Sequence, residues 1–495
     1  MIDTKVLREK ILDLAMRGKL VPQDPNDEPA SELLKRIKAE KEELIKQKKI
    51  KRDKNETEIF KGDDGLHYEK FADGTVKKLD VPYELPDGWG WAKLGSYMDV
   101  RDGTHDTPKY FDSGIPFVTS KNLGDGKIDF KNVNYISDED SQKFNQRSRV
   151  EAGDILMAMI GTIGKPVVAP KVEFEYSIKN VALFKRLTIE QNSKFIRDYL
   201  QYSEKRLRKC ASGGNQKFLS LKKLKEILIP IPPSSEQKQI VSVLSDYLSL
   251  VECIDSDQNA LQQLASQLKQ KVLDVAMQGK LVPQDPNDEP ASVLLEKIRA
   301  EKQRLYEEGK IKKKDLVETE IVKDGDNAYY QNLPKGWGKT LFGNIVYLLS
   351  GRDLSVAKYS DSVQKGIPYI TGASNFCDGI ITTSRFTEFP TVISEKKDIL
   401  ITVKGTVGEL AVNPYYKAHI ARQIMAIRPY LVNNEFLKIY LETKIDNMKL
   451  QSQSMIPGIS REVLLKLLIA LPPKTEQLRI TNLIKKLFQE FEEIT

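Results

Sequence analysis

The chain has 495 residues, 40% of them hydrophobic and 30% charged, with a formal net charge of +7, which is enough for roughly two to four domains with cores of their own. No apolar run approaches the ~18 residues of a membrane span, and residues 1–19 carry early acids and lack the apolar core of a secretion signal, so a cytoplasmic location is expected. Three cysteines (Cys210, Cys253, Cys377) and three histidines (His67, His105, His419) are scattered, which excludes a disulfide framework and zinc-ligand spacing and leaves them as ordinary core or surface residues.

The first predicted helix carries Leu7, Ile11 and Leu14 at helical spacing and stops at Gly18. The stretch GKLVPQDPNDEPAS then runs over residues 18–31 and returns unchanged over residues 279–292, so the chain contains an internal repeat. Its prolines and acids (Pro22, Asp24, Pro25, Asp27, Glu28, Pro29) suit a rigid turn into a helix capped by Ser31, and the segment reads either as a structural joint or as a docking surface for a partner. Residues 35–54 hold ten Lys and Arg against four Asp and Glu, and residues 296–314 hold eight against four. Such runs suit a solvated helix face or contact with phosphates, and charge alone does not decide between them.

A variable segment follows each copy. The first opens on LPDGWGWAKLG and continues through GIPFVTSKNL and GDILMAMIGTIGK; the second has LPKGWGKTLFG, GIPYITGASNF and KDILITVKGTVGE. These are short β-rich runs ending in glycine turns, and a helical stretch comes next in both (SKFIRDYLQYSEKRL, NEFLKIYLETKI), so each segment reads as a mixed α/β domain.

After IPIPP, Ser234 and Gln237 offer a capping box. From there heptad spacing predicts a coiled-coil seam through Ile240, Leu244, Tyr247, Val251, Ile254, Gln258, Leu261, Ala265, Leu268, Val272 and Val275, on a rod roughly 65 Å long. Its expected antiparallel partner is in two pieces. Ile480, Ile484, Leu487, Phe491 and Ile494 match the beginning of the rod, and Leu7, Ile11 and Leu14 match its end. Lys474 stands where Ser234 stands in the first copy and cannot cap, which weakens the signal for the second helix start.

Catalytic chemistry is sparse. GTIGK departs from a phosphate loop in spacing and has Pro166 where Ser or Thr is needed. IPPS and LPPK lack the acidic or amide residue and the aromatic that hold a flipped base in amino-methyltransferases, and Asp129–Lys131 is the kind of acid-x-Lys triplet that a charged chain produces by chance. No nucleophile, base and orienting group come together.

The double proline followed by Glu-Gln and a long helix, the GT[IV]G turns, the split repeat and LVPQDPNDEPA together resemble the specificity subunit of a type I restriction-modification enzyme over essentially the whole chain. The resemblance implies an α/β fold class: two mixed α/β target recognition domains separated by a long antiparallel two-helix coiled coil in a circular pseudo-two-fold repeat. The expected divisions are 1–84 (N-terminal conserved helical region and repeat segment), 85–233 (first recognition domain), 234–332 (central long helix and repeat segment), 333–473 (second recognition domain) and 474–495 (C-terminal helix). It further implies a non-catalytic chain without cofactors of its own that reads a bipartite, asymmetric site in double-stranded DNA. Its implied partners are two methyltransferase subunits that modify adenine with S-adenosylmethionine, and restriction subunits that cut DNA with ATP and Mg. A free-standing bivalent DNA-binding regulator and a coiled-coil protein scaffold are the alternatives.

Reading bases needs side chains with donors and acceptors at base edges, with Lys and Arg holding phosphates. The candidates in the first domain are Thr119, Ser120, Lys121, Asn122, Thr162, Lys165, Lys179, Asn180, Asn215, Gln216 and Lys217. Those in the second are Thr371, Ser374, Asn375, Lys404, Thr406, Arg422, Gln423 and Ser454. Gly161, Gly164, Gly405 and Gly408 read equally well as plain turn residues, and Ser220 and Ser460 as helix caps.

Overall fold

The structure, a computed structural model, describes residues 1–53, 56–124, 126–188, 190–213, 217–319, 333–361, 365–377, 379–451 and 458–494. It divides into two compact units, residues 1–257 and 258–495, and the division falls inside one continuous helix, Ser234–Met277.

The first unit opens with α1 (Thr4–Met16), capped by the Asp3 carboxylate, and α2 (Ala30–Lys46). An antiparallel meander follows, β1 (Thr57–Lys61), β2 (His67–Phe71) and β3 (Val76–Lys78), inside the region expected to be helical. The unit continues with β4 (Gly90–Lys93), α3 (Leu94–Tyr97), β5 (Asp99–Asp102), β6 (Ile115–Thr119), β7 (Leu123–Gly124), β8 (Lys127–Ile128), β9 (Asn134–Ile136) and α4 (Asp138–Ser148). It ends with β10 (Ile155–Ala158), β11 (Gly164–Val168), β12 (Ser177–Lys179), β13 (Val181–Lys185), α5 (Ser193–Tyr202), α6 (Glu204–Cys210), α7 (Leu221–Lys225), β14 (Leu228–Ile231) and the first half of α8 (Ser234–Met277). An antiparallel sheet has the order β11-β10-β13-β5, and a second, β12-β6-β9, contains the parallel pair β12–β6. Every residue of β10 is buried because the sheet is covered on both faces. Ile155 and Met157 join the core with Phe195 and Tyr199, while Leu156 and Ala158 turn to the core with Val118 and Ile178, as the two-residue period of a strand requires.

The second unit follows the same order. After the second half of α8 come α9 (Ala291–Glu307), β15 (Gly338–Leu341), α10 (Phe342–Ile345), β16 (Val346–Ser350), β17 (Ile367–Ile370), β18 (Phe376–Cys377), β19 (Ile380–Ile381), β20 (Phe386–Thr387) and β21 (Ile393–Glu395). Then come β22 (Ile399–Thr402), β23 (Leu410–Val412), β24 (Lys417–Ile420), β25 (Ile424–Pro429), α11 (Asn434–Gln451), α12 (Arg461–Leu465), β26 (Leu468–Leu471) and α13 (Lys474–Ile494). Its main sheet is β16-β25-β22-β23, and its second, β20-β17-β24-β21, keeps one parallel pair, β17–β24. The sequence landmarks GDIL and KDIL each place a buried acid that anchors this sheet. Asp154 meets Lys185 at 2.9 Å, and Asp398 meets Arg428 through two bonds of 2.9 Å.

The repeated segment is a joint inside each unit. Gly18 and Gly279 end their helices with φ near +64 and +68, and a Cβ at either would lie 2.4 Å from Cγ of Pro86 or Pro334, so both conformation and space require glycine. Gln23 Nε2 donates to the Gly18 carbonyl at 2.6 Å and to Glu236 Oε1 at 3.0 Å, and Trp89 Nε1 donates to Glu236 Oε2 at 2.8 Å. Gln284, Gly279, Glu476 and Trp337 repeat the arrangement at 2.9, 2.8 and 3.0 Å. Burial pushes both glutamates up from their ordinary value, and these donors oppose the shift.

Three local expectations change. α2 begins at Ala30 without a side-chain cap, because the Ala30 N–H donates to the Gly88 carbonyl at 2.8 Å; Ser31 is not the cap. The capping box at Ser234 is not formed. Gln237 Nε2 donates instead to the Pro232 carbonyl, Gln477 does the same to Pro472, both at 2.9 Å, and α13 starts at Lys474 without needing a serine. In the seam, Ile240, Leu244 and Val251 are buried, but Tyr247, Leu261 and Leu268 are exposed. The core-facing stripe steps from buried Leu244 to half-buried Leu248, because this half of α8 lies against the domain core as well as α1. Antiparallel pairing is seen in the first unit, where Thr4 meets Asp255 and Arg8 meets Glu252, and in the second unit Lys269 of α8 meets Glu492 of α13.

Candidate nucleic-acid interface

In the first unit the strand register gathers the candidate turns at one end of the two sheets. Thr119, the last residue of β6, pairs with Lys179 of β12, and Ala158 of β10 lies beside Val181, which follows Asn180. Asn180 adopts φ +54 and donates its N–H to the Thr104 carbonyl at 3.1 Å. Across the sheet, the Gly161 N–H donates to the Lys217 carbonyl at 2.9 Å, which places exposed Thr162 next to exposed Lys217. Lys165 is exposed at φ +53, and a Cβ on Gly124 would lie 3.9 Å from its Nζ. Lys121 is exposed, Ser120 is half-buried, and Lys179 donates to Thr107 Oγ1 at 2.5 Å.

Asn122 is a correction. It is buried, its Oδ1 accepts from both the N–H and the hydroxyl of Thr119 at 2.9 Å, and its Nδ2 donates to the Asn132 carbonyl at 2.8 Å. Both ends of its amide hold the turn, which leaves none for a base edge. The second unit repeats this with Asn375, whose Oδ1 accepts from the N–H and hydroxyl of Thr371 and whose Nδ2 donates to the Thr382 carbonyl at 2.9 Å. Ser374 beside it is exposed. Asn215, Gln216 and Ser454 lie outside the described residues. Asp129 of the acid-x-Lys triplet accepts from the Lys131 N–H at 2.9 Å and Asn132 Nδ2 at 2.7 Å, so it too holds a turn.

The second unit gathers its turns in the same way. Ile370 pairs with Ile420, the Val403 N–H donates to the Gln423 carbonyl at 2.8 Å, and Lys404 bridges to Gly458. Lys404, Thr406, Arg422 and Gln423 are exposed. The Gln423 side chain lies against Gly372, where a Cβ would be 2.2 Å from its Oε1. Gly161, Gly164, Gly405 and Gly408 all have positive φ and make the turns that present these residues. Ser220 and Ser460 cap α7 and α12 through the N–H groups of Lys223 and Val463.

One model of a protein family, the type I restriction modification DNA specificity domain, matches the chain twice, over residues 86–263 and 334–495. The chain belongs to this family. The specificity subunit of the type I restriction enzyme EcoAI of Escherichia coli is 29% identical over 98% of this chain and 89% of its own length; that of EcoEI, also of Escherichia coli, is 27% identical over the same shares. A chain in a solved structure concerned with assembly and conformational transition of the type I R-M system shares the fold, with a TM-score of 0.57 at 20% identity, covering 83% of this chain and 93% of that one.

For a type I specificity chain, the placement of the basic runs matters. Much of the first run is spent inside the unit: Arg36 pairs with Glu28 and Glu190, Lys38 with Glu58, Lys41 with Glu56 and Arg52 with Glu42. Arg36, Lys38 and Arg52 form a solvated, internally paired face and Lys41 is buried beside its partner, whereas Lys121, Lys165 and Lys217 stand exposed among the candidate turns. The structure also adds a loop that the spacing did not single out. Thr104 and His105 follow β5, and Arg352 and Asp353 follow β16, beside the same turns. A signal was present: each pair follows a glycine after a strand, and a Cβ at Gly103 or Gly351 would lie 2.4 or 2.1 Å from the carbonyl oxygen of Ile178 or Ala421. His419 is buried behind this loop with Nε2 2.9 Å from the Arg352 carbonyl, and burial lowers its pKa, so it is a core residue.

Proposed function

We propose that this chain is the DNA sequence-recognition subunit of a cytoplasmic type I restriction-modification complex, in which each unit reads one half of a bipartite, asymmetric duplex site. The observation that carries the reading is the pair of turn faces: one backbone frame, used twice, presents Thr162, Lys165, Lys179, Asn180 and Lys217 in one unit and Lys404, Thr406, Arg422 and Gln423 in the other. Equal frames with unequal donors and acceptors suit two different half-sites. Exposed lysines on the same faces suit phosphate contact.

The segments 85–233 and 333–473 are the recognition domains of this reading, with 1–84, 234–332 and 474–495 as the parts that fit a partner. Adenine methylation with S-adenosylmethionine and ATP- and Mg-dependent cleavage belong to two methyltransferase subunits and to restriction subunits. The test is methylome sequencing of cells carrying the chain with its methyltransferase partner. A two-part adenine-methylated motif is expected. Methylation that does not depend on this chain, or methyl transfer by the purified chain alone, would overturn the assignment.

A further inference from the structure

In both units the hairpin turn at the reading face is braced by the loop that follows the first strand of the main sheet, and the two loops brace it with different chemistry. In the first unit this loop is fixed by its backbone: the Gly103 N–H donates to the Val181 carbonyl at 2.9 Å and the Thr104 N–H to the Ile178 carbonyl at 3.0 Å. His105 then sits between two oxygens, with Nδ1 2.6 Å from Asn180 Oδ1 and Nε2 3.1 Å from Asp102 Oδ2. Asp102 is buried and ion-paired with Arg147. The Asn180 backbone is held by Thr104, so only its amide is left to turn.

In the second unit the Gly351 N–H donates to the Ile424 carbonyl and the Arg352 N–H to the Ile420 carbonyl, both at 3.0 Å. Asp353, next along, lies 2.8 Å from Arg422 Nε and accepts from the Arg422 N–H at 3.2 Å.

The consequence for Asn180 follows from the inventory of donors. A carboxylate only accepts, so the ring form that satisfies Asp102 carries its proton on Nε2. In the neutral ring Nδ1 is then an acceptor and takes an N–H from Asn180, which turns the amide carbonyl away from the ring. In the doubly protonated ring Nδ1 donates to Oδ1, and the amide N–H groups face away instead. Base edges differ in this pattern of donors and acceptors. We propose that this loop is the positioning element of each reading face: His105 sets which end of the Asn180 amide is offered, and Asp353 sets the aim of the Arg422 guanidinium. Neither residue needs to touch a base.

The inference rests on the functional reading above, and one experiment separates their failures. The full chain is expressed with its methyltransferase partner, and the methylome is read for wild type, His105→Leu, His105→Gln and Asp353→Asn. A wild-type chain that directs no two-part motif would overturn the functional reading and this inference with it. Given a wild-type motif, His105→Leu is expected to relax one position of one half-site, with the preferred base losing about tenfold of its advantage or more. The other half-site should stay intact. Asp353→Asn, which keeps the shape and removes the charge, should relax one position of the other half-site, and His105→Gln should restore a single preference at the His105-dependent position. Unchanged motifs in all variants would overturn the inference. So would a uniform loss of methylation at every site without change of base choice in Asp353→Asn or in a His105 variant that still assembles, because that is what a merely structural residue produces.

Discussion

At the joint, Gly18, Gln23, Trp89 and Glu236 of the first unit recur as Gly279, Gln284, Trp337 and Glu476 of the second, with the Gln–Glu and Trp–Glu hydrogen bonds between 2.8 and 3.0 Å in both. At the turn faces the backbone bonds of the loop and the Thr119–Asn122 and Thr371–Asn375 pairs recur, while the side chains beyond them do not. The Thr104 and Arg352 N–H groups each donate to a strand carbonyl at 3.0 Å, yet His105 and Asn180 face Asp353 and Arg422 as counterparts. A bond between two side chains restricts both residue types, whereas a bond between backbone groups restricts neither. The joint keeps its letters because its side chains hold one another, and the loop beside each turn face keeps its backbone bonds while its side chains pair differently in the two units.

Exchanging one turn face whole should have the largest effect. Replacing residues 95–220 with the matching segment of a related specificity chain should change one half of the methylated motif completely and leave the other half as it was. The frame that would carry the graft is built from backbone bonds and from joint contacts outside the exchanged segment. Methylome sequencing reads the result. Loss of both half-sites in an assembled complex would mean that the faces are not independent.

A substitution at the joint should cost stability and cost it equally in both units. Gly18→Ala and Gly279→Ala each force a Cβ to 2.4 Å from a proline ring at positive φ. About 2–4 kcal/mol of local stability should be lost at each. Hydrogen exchange resolved by segment measures it, since one global transition cannot be assumed for two units. A cost confined to one copy would show that the repeat is not held by the contacts described.

The cores offer a contrast that pH exposes. Asp198 on α5 is buried, and burial pushes its pKa up to about 6, with Arg197 at 2.7 Å opposing the shift. The matching position on α11 is Ile439, since Tyr199 and Tyr440, the next residues, both donate their hydroxyls to the carbonyl of the following strand, Leu228 or Leu468. A carboxyl with a raised folded value holds its proton more tightly in the native state. The contribution of this group to the stability of the first unit is therefore full below the ordinary carboxylate value and is lost as pH rises through about 6. The second unit should lack this slope at the matching helix. Asp198→Asn should stabilise the first unit above pH 6 by about 3 kcal/mol, with the gain vanishing near pH 4. Unfolding followed at several pH values checks both slopes.

The repeat, the strands with their glycine turns and the two-piece partner of α8 are legible in the sequence, because each rests on spacing within one element or on identity between copies. Features decided by tertiary packing are less so. Tyr247 satisfies the heptad yet is exposed, because the stripe that counts is set by the domain core beneath α8 as well as by α1. Asn122 has the chemistry of a reader and is a turn residue, since its partners at Thr119 and Asn132 are known only once the chain has folded. The meander over β1–β3 was missed because only Thr57 among its residues is buried and the strands give no alternating pattern. His105 and Asp353 were passed over because a loop carries no periodicity, although the glycine before each marked a close backbone approach.

The smallest expected effect tests the most ordinary of the sequence signals. Ser234 begins α8 where a capping serine is expected, but its Oγ has no hydrogen-bond partner among the described residues. Lys474 occupies the matching position, and α13 begins there all the same. What the two starts share is Gln237 or Gln477 donating to the carbonyl of the proline before the helix. Removing a working N-cap costs about 1 kcal/mol. Ser234→Ala should cost less than about 0.5 kcal/mol, since a buried hydroxyl without a partner contributes nothing favourable to lose. Gln237→Ala and Gln477→Ala should each cost about 1–3 kcal/mol, because each leaves a buried carbonyl without its donor. Segment-resolved exchange at the first turns of α8 and α13 measures all three. A full capping loss at Ser234 would show that the first helix start depends on its serine after all, and that the two units begin their closing helices by different means.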